Sequence, residues 1–294
     1  MNVVAVVVTH NRLNLLKECI HALLHQTHQI ASIIVVNNES TDGTTEWLGT
    51  QAEAVTTIFS ENKGGTWGFY TGIKVAAQLN SNWIWIMDDD TIPSNNALEQ
   101  MLVATPNLNA FGFLASKVVW TDNSIHKMNV QHHSHKHSLY NQYLRQNIAL
   151  IEHSSFVSLL VNKKAIEQVG LPIKEFFIWK DDTEFTKRII KAGWLAGLVN
   201  NSVVLHKTAA NYTVDLFDDV STNSWKYFYG IRNDLFVRKS VKGRGSYVRN
   251  ILKNFTLVPL KIVVKRKSAR WPFVKSVVKG TWATFSFKPS IEFL

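Results

Sequence analysis

Residues Asn82–Pro93 read NWIWIMDDDTIP. An apolar, aromatic run, Trp83 to Met87, stops at three consecutive carboxylates, Asp88, Asp89 and Asp90. Like charges in a row repel, and aspartate is a poor strand former. Three of them at the end of a buried strand therefore need a reason outside secondary structure.

The segments before this stretch supply its context. Val3–Val8 is a nearly continuous β-branched run, as in a parallel strand covered on both faces. RLNLLKECIHALLHQ places Leu15, Leu16, Cys19, Ile20, Leu23 and Leu24 at helical spacing. SIIVVN (32–37) is a second strand, STDGTTEWL (40–48) turns into a helix, and TTIFS (56–60) is a third strand. GGTWGFYTGIKVAAQL (64–79) runs from a glycine-rich turn into a helix, so WIWIM is the fourth strand. This alternation implies a doubly wound, mostly parallel α/β sheet flanked by helices. Such sheets bind ligands beyond the carboxyl ends of their strands, where Asp88–Asp90 fall.

Beyond Pro93 the pattern loosens. SSFVSLLV (154–161) reads as a strand, and NKKAIEQVG (162–170) as a short helix ending at Gly170. DDTEFTKRIIKAG (181–193) reads as a helix with an acidic first turn and a basic last turn, which suits the helix dipole. LAGLVNNSVVLH (195–206) is a strand, and STNSWKYFYGIRNDLFVRKSV (221–241) an amphipathic helix.

Three carboxylates at a strand end suit a hard cation, Mg²⁺ or Mn²⁺. In an extended stretch Asp88 and Asp90 point one way and Asp89 the other. Asp90 is then assigned to the metal, Asp88 to the metal or a nucleotide ribose, and Asp89 to support. An aspartate-rich turn or helix start is the plain alternative. The other strand ends are polar as well. VTHNR supplies Thr9, His10, Asn11 and Arg12, NNESTDGT supplies Asn37 and Asn38, and ENKGGTWGFYTG supplies Asn62, Gly64, Gly65 and Gly68. The glycines suit close approach to a ligand or a packed helix, but match neither the Walker nor the dinucleotide pattern.

Taken in order, VTHNR, VVNNESTDGT, ENKGGTWGFYTG and MDDDTIP resemble the nucleotide-sugar-binding half of family 2 glycosyltransferases with the GT-A fold. FFIWKDDTEFTKRIIKAGW (176–194) resembles the family's acceptor-side motif, and YFYGIRND (227–234) a segment of its galactofuranosyl- and rhamnosyltransferase-like branch. The resemblance implies Asp182 as general base, with Asp181 and Glu184 orienting acceptor hydroxyls or tuning that base, and His206 completing the metal shell. Trp179, just before the acids, suits either stacking on an acceptor sugar or a plain core position. Asn37 departs from the aspartate that many relatives pair with uracil. The chemistry is consistent with this picture. Transfer to a hydroxyl needs a stabilised diphosphate leaving group and, where the anomeric centre inverts, a base on the opposite face of the sugar.

Composition reads as globular rather than disordered: 294 residues, 46% hydrophobic and 18% charged. The single cysteine, Cys19, excludes an intrachain disulfide framework and reads as an inert core thiol in a reducing compartment. Neither a secretory signal nor an 18-residue apolar run is present, so no transmembrane helix is expected. Charge is uneven. Residues 235–294 hold fourteen Lys and Arg against one Glu, a net +13, and residues 1–234 hold eighteen against twenty-one, a net −3.

The expected organisation is a GT-A catalytic domain over 1–220, with a donor half 1–93 and an acceptor half 94–220. A basic helical region, 221–294, follows. Its Lys and Arg alternate with Trp, Phe, Leu and Val, which suits an anionic membrane surface on the cytoplasmic side. HKMNVQHHSHKH (126–137) reads as a loop over the acceptor site rather than a zinc site.

The expected function is metal-dependent, inverting transfer from a nucleotide-sugar donor to a cell-surface polysaccharide or lipid-linked glycan. UDP-galactofuranose is the first donor expected and dTDP-rhamnose the second. A nucleotidyltransferase is disfavoured because THNRLN replaces the basic glycine-rich loop it needs. A basic nucleic-acid-binding protein is the rival of another class, and no nucleic-acid partner is expected of the enzyme.

Overall fold

The computed structural model describes residues 1–134 and 137–294. The N-terminal half alternates as its periodicity predicts. Strand β1 (Val3–Thr9) leads to helix α1 (Leu13–Leu24), β2 (Ser32–Asn38) to α2 (Thr44–Gly49), and β3 (Thr56–Ser60) to α3 (Gly65–Gln78), followed by β4 (Trp83–Asp88). These four strands are parallel in the order β3-β2-β1-β4. Val8 stands beside Asp88, Thr9 beside Asn37, and Asn38 beside Ser60, so the polar strand ends are level.

Period-two alternation sorts the strands between two cores. Val3, Ala5, Val7, Trp83, Trp85 and Met87 pack with Leu16, Cys19, Ile20 and Leu23 of α1. Val4, Val6, Val8, Ile84 and Ile86 pack with Phe69, Tyr70, Ile73 and Ala76 of α3. Glycines let α3 settle onto the sheet. A Cβ at Gly72 would lie 2.4 Å from Val6 Cγ1, and one at Gly68 would lie 2.6 Å from Val8 Cγ1. Cys19 is buried and free, as expected of a core thiol.

After β4 the chain forms β5 (Thr91–Pro93), α4 (Ala97–Leu102), β6 (Phe111–Val119), α5 (His137–Leu144), β7 (Ile148–Leu150), β8 (Leu159–Asn162), α6 (Lys163–Val169), α7 (Asp181–Lys191) and β9 (Leu195–His206). Strand β8 joins β4 antiparallel and pairs antiparallel with β6, which runs parallel to β9. The strand expected over 154–161 is shorter, because Ser158 takes a left-handed φ of 54° and extended pairing starts at Leu159. Strand β5 pairs antiparallel with β9 and sets Thr91 opposite His206.

Four helices close the chain: α8 (Lys226–Val241), α9 (Gly243–Phe255), α10 (Leu257–Lys265) and α11 (Arg270–Ala283). Their own core is Tyr227, Ile262, Phe273 and Val277. The segment after α11 returns to the sheet domain. Leu171 N donates to Glu292 O at 2.8 Å, and the Glu292 carboxylate receives Lys74 Nζ at 2.6 Å, Lys174 Nζ at 3.1 Å and the Tyr70 hydroxyl. These contacts hold the Glu292 carboxyl at about 2.

Candidate active site

Three loops gather over the ends of β1, β2 and β3. His10 Nδ1 lies 2.6 Å from the Asn38 carbonyl, which can only accept. That nitrogen therefore carries the proton, and Nε2 accepts from the Asn11 and Asn62 amides, each at 3.3 Å. Asn11 Oδ1 in turn accepts from Thr41 N at 2.7 Å, and Asn62 Oδ1 from Gly64 N at 3.2 Å. Asp42, which sequence reasoning passed over, receives the backbone N–H of Leu13 and the Thr44 hydroxyl, tying the second loop to the start of α1.

Two donor candidates have other work in this frame. Asn37 is 1% exposed, and both ends of its amide are used within its own loop: Oδ1 accepts from Ser40 N and Nδ2 donates to Thr45 Oγ1, each at 3.0 Å. Gly68 faces Val8 and Asn38, where its missing Cβ allows α3 to approach the sheet. Gly65 has open space where a Cβ would stand, and Gly64 sits at φ 92° against the Phe177 carbonyl.

The three aspartates do not alternate as an extended strand would have them. Strand β4 ends at Asp88, and Asp89 and Asp90 form a turn. Arg12 can therefore reach both, at 3.3 Å to Asp89 Oδ1 and 2.5 Å to Asp90 Oδ2. Thr9 Oγ1 donates to Asp89 Oδ2 at 2.8 Å. Burial lifts Asp89 to about 6 against the pull of Arg12. Burial and the two neighbouring carboxylates push Asp88 well above the ordinary range, with Asp181 adding to the effect, although Asp88 keeps part of its surface open.

Asp90 has one oxygen left. Its Oδ1 is buried, makes no hydrogen bond, and lies 3.2 Å from His206 Nε2. Across the same ring, His206 Nδ1 is 3.0 Å from Asn129 Oδ1, and Asn129 Nδ2 donates to Ser155 Oγ at 2.7 Å. Asn129 Oδ1 is thus an acceptor. Nδ1 of His206 donates to it, which leaves Nε2 as the ring atom that faces the carboxylate, and against burial His206 helps to hold the Asp90 carboxyl below the ordinary range. With Nε2 deprotonated, a carboxylate oxygen and an imidazole fixed from behind by Asn129 form a donor set that fits a hard divalent cation. Among the described residues no group of three His, Cys, Asp or Glu side chains could hold a metal ion. Further ligands would come from a bound diphosphate or water.

Helix α7 opens with the two acids of the acceptor motif. Asp181 is buried and lies near enough to Asp88 to raise its pKa. Its own carboxyl is raised to about 7 by burial and then by Asp182. Asp182 is raised by burial, and its Oδ1 accepts from Thr183 N at 2.5 Å and Thr183 Oγ1 at 3.0 Å. Its Oδ2 takes no hydrogen bond from the described residues. Asp182 borders a cleft of about 550 Å³ together with Lys127, His132, His153, Trp179 and Lys180. The acid pair thus lies between the aspartate turn and this cleft.

Glu184 does not join them. It pairs with Arg188, Nη2 to Oε2 at 2.9 Å, and Arg188 continues to the carbonyls of Val169 and Leu171. The expectation that Glu184 orients an acceptor is replaced by an internal ion pair that fastens α7 to the end of α6.

The histidine tract divides. His132 lines the cleft, whereas His126 is buried with its ring 4.4 Å from that of His206, and burial lowers it to about 4. His135 lies outside the described residues. Sequence reasoning missed Asn129, Lys180 and His153. Lys180 stands directly before the acid pair, inside the quoted acceptor motif, whereas Asn129 and His153 are marked only by neighbours distant in sequence.

The chain is 26% identical over 216 residues to galactofuranosyltransferase GlfT1 of Mycolicibacterium smegmatis, covering 69% of this chain and 70% of that protein. It is 27% identical over 216 residues to GlfT1 of Mycobacterium tuberculosis H37Rv, covering 70% of each. Among solved structures it resembles GalNAc-T7 with UDP, GalNAc and Mn²⁺, at a TM-score of 0.60 and 12% identity over 81% of this chain. This chain spans only 48% of GalNAc-T7. It also resembles the mannosyltransferase PcManGT of Pyrobaculum calidifontis in complex with GDP-Man and Mn²⁺, at a TM-score of 0.58 and 14% identity over 97% of this chain and 87% of that one. The architecture these structures share is the GT-A glycosyltransferase fold. The sequence profile named Glycosyl transferase family 2 matches residues 4–169, more than half of the chain and all but the first residue of the parallel half-sheet. The chain is a glycosyltransferase and belongs to glycosyl transferase family 2.

Proposed function

We propose that the protein is a metal-dependent, inverting hexosyltransferase that uses a nucleotide-sugar donor, with UDP-galactofuranose the first candidate and dTDP-rhamnose the second. The likeness to two galactofuranosyltransferases supports the choice of sugar. The acceptor is a hydroxyl of a cell-surface polysaccharide or lipid-linked glycan.

The observation that carries this reading is the facing pair Asp90 Oδ1 and His206 Nε2, with Asp182 set on a separate cleft. Asp90 and His206 would hold Mn²⁺ or Mg²⁺, which when bound supplies counter-charge to the donor diphosphate. Arg12 screens the second Asp90 oxygen and Asp89, so the turn is not stacked with uncompensated charge. Thr9, His10, Asn11, Asn62, Gly64 and Gly65 shape the donor side. Trp179 offers an aromatic face to the acceptor. Asp182 Oδ2 takes the proton of the acceptor hydroxyl as its oxygen bonds to the anomeric carbon, and the bond from that carbon to the diphosphate oxygen breaks. The nucleoside diphosphate then leaves.

Calorimetry of UDP with and without Mn²⁺ on Asp90→Ala tests this. Loss of the Mn²⁺-dependent part of UDP affinity in a folded variant is expected. Unchanged Mn²⁺-dependent affinity removes Asp90 from the metal site.

We further infer that the C-terminal helices rest on the anionic cytoplasmic leaflet. Leu252, Leu257, Leu260, Val264, Trp271, Trp282 and Phe285 are exposed among the basic residues of this region. Trp282 packs on both Phe255 and Phe285, so the aromatic residues form a patch. Among the described residues no helix is long and apolar enough to cross a membrane. An interfacial seat of apolar side chains ringed by Lys and Arg is the arrangement that suits such a surface.

A further inference from the structure

The four residues before the acid pair hold an unusual backbone. Phe177, Trp179 and Lys180 have φ values of 68°, 64° and 72°, and none is glycine. Side chains disfavour this region, and residues stay there only where their surroundings fix them. The fixing group comes from α8. Asn233 is fully buried, and its Nδ2 donates to the carbonyls of Phe176 at 2.9 Å, Ile178 at 3.1 Å and Trp179 at 2.9 Å. One amide nitrogen thus spans the whole distorted stretch.

The neighbours reinforce it. Arg232 Nη2 donates to the carbonyls of Glu175 at 2.7 Å and Phe176 at 3.3 Å, and Arg232 Nε donates to Asn233 Oδ1 at 3.0 Å, which orients the amide. The Arg232 guanidinium in turn lies 3.8 Å from the ring centre of Phe287. Trp179 rests on Gly230, where a Cβ would lie 2.7 Å from Trp179 Cε3. On the loop's other side the Phe177 carbonyl accepts from Thr66 N at 3.3 Å, in the donor glycine turn.

We propose that Asn233 is a positioning residue for sugar transfer: through three carbonyls it holds the loop that aims Asp181, Asp182 and Trp179 at the junction of donor site and acceptor cleft. The idea rests on the function proposed above. It also makes the basic C-terminal region part of the catalytic unit. A side chain that merely docks α8 would affect stability alone. A positioning side chain affects turnover in molecules that are fully folded, because small misplacements of a reacting group lower the rate steeply.

The test is Asn233→Ala in the full chain, with Arg232→Ala as a milder partner that leaves Asn233 in place. Three quantities are measured: UDP affinity with Mn²⁺, kcat and KM for transfer, and hydrogen exchange of the amides of 177–183. The expected result is UDP affinity within about twofold of the unaltered chain, kcat lowered at least tenfold, and faster exchange confined to 177–183. Arg232→Ala should show the same pattern at smaller size. The proposal is overturned if folded Asn233→Ala keeps its kcat. Should Asn233→Ala not fold, unaltered kcat and exchange in Arg232→Ala overturn it equally. If the unaltered chain transfers no sugar from any UDP-, dTDP- or GDP-sugar, the proposed function fails, and the exchange measurement still decides whether Asn233 holds the loop.

Discussion

Replacing Asp182 by Asn changes one atom that matters. The side-chain Oδ1 that accepts from Thr183 N and Oγ1 has an equivalent in Asn, so the start of α7 keeps its hydrogen bonds. The other oxygen becomes an NH₂ group, which cannot take a proton. Removal of a general base costs on the order of 10² to 10⁴ in rate, or about 2.7 to 5.4 kcal/mol of barrier. Stability should move the other way. Asp181 is raised to about 7 by burial and then by Asp182. A carboxyl raised above its unfolded value of 3.8 contributes stability that is complete below that pH and is lost as the pH rises through about 7. A neutral neighbour removes the second cause, so the variant should lose less stability over that range and be at least as stable at neutral pH. Rapid-quench turnover, UDP calorimetry and thermal melts at pH 4 and 7 on the same preparation separate these effects. Turnover within threefold of the unaltered chain, at normal UDP affinity, would refute the role of Asp182 as base and leave it a helix-starting residue.

Three further outcomes are expected. Glu292→Gln should lower the melting temperature at neutral pH, and the gap should close as pH falls from 4.5 through about 2, where the Glu292 carboxylate is lost in the unaltered chain too; a gap independent of pH would show that the contact is not ionic. Gly72→Ala should shift the urea midpoint by about 1 to 3 kcal/mol in stability, since its Cβ would lie 2.4 Å from Val6 Cγ1 in a filled core. Trp282→Ser with Phe285→Ser should reduce flotation with anionic liposomes at both low and high salt, whereas charge reversals in the same helices should matter only at low salt. An intact protein that ignores anionic liposomes but binds RNA tightly would replace the membrane with nucleic acid.

The donor half was legible because its periodicity switches between two and 3.6 at every element, from β1 to β4. The acceptor half was less so. Strand β6 was not foreseen, since Gly112, Ser116 and Lys117 interrupt its apolar run. At the site, four polar loops at four strand ends could be read in advance, but the destination of each side chain could not. Asn37 and Gly68 sit in those loops and serve the scaffold. Glu184 carried a usable signal, an arginine four residues on, the spacing at which a helix pairs charges. Asp89 and Asp90 came together under Arg12 because the strand stops at Asp88, an end point that periodicity fixes only loosely. Asn129 and Asn233 lie in stretches that the sequence marks, HKMNVQHHSHKH and YFYGIRND, but their roles left no trace there, because the groups they hold, His206 and the carbonyls of Phe176, Ile178 and Trp179, are more than fifty positions away.

The pairing of Thr91 with His206 also bears on how the chain folds. It brings Asp90 and His206 together across 116 positions, by an antiparallel contact between a three-residue strand and the end of a long one. Closing so large a loop is entropically costly and rewarded late, so contacts of this span tend to form after local ones. An early intermediate with β1 to β4 assembled would possess the aspartate turn and Arg12 but no imidazole facing Asp90. Mn²⁺-dependent nucleotide binding, followed during refolding, would then appear only with the closing of β5 on β9, and would time that step apart from the assembly of the parallel sheet.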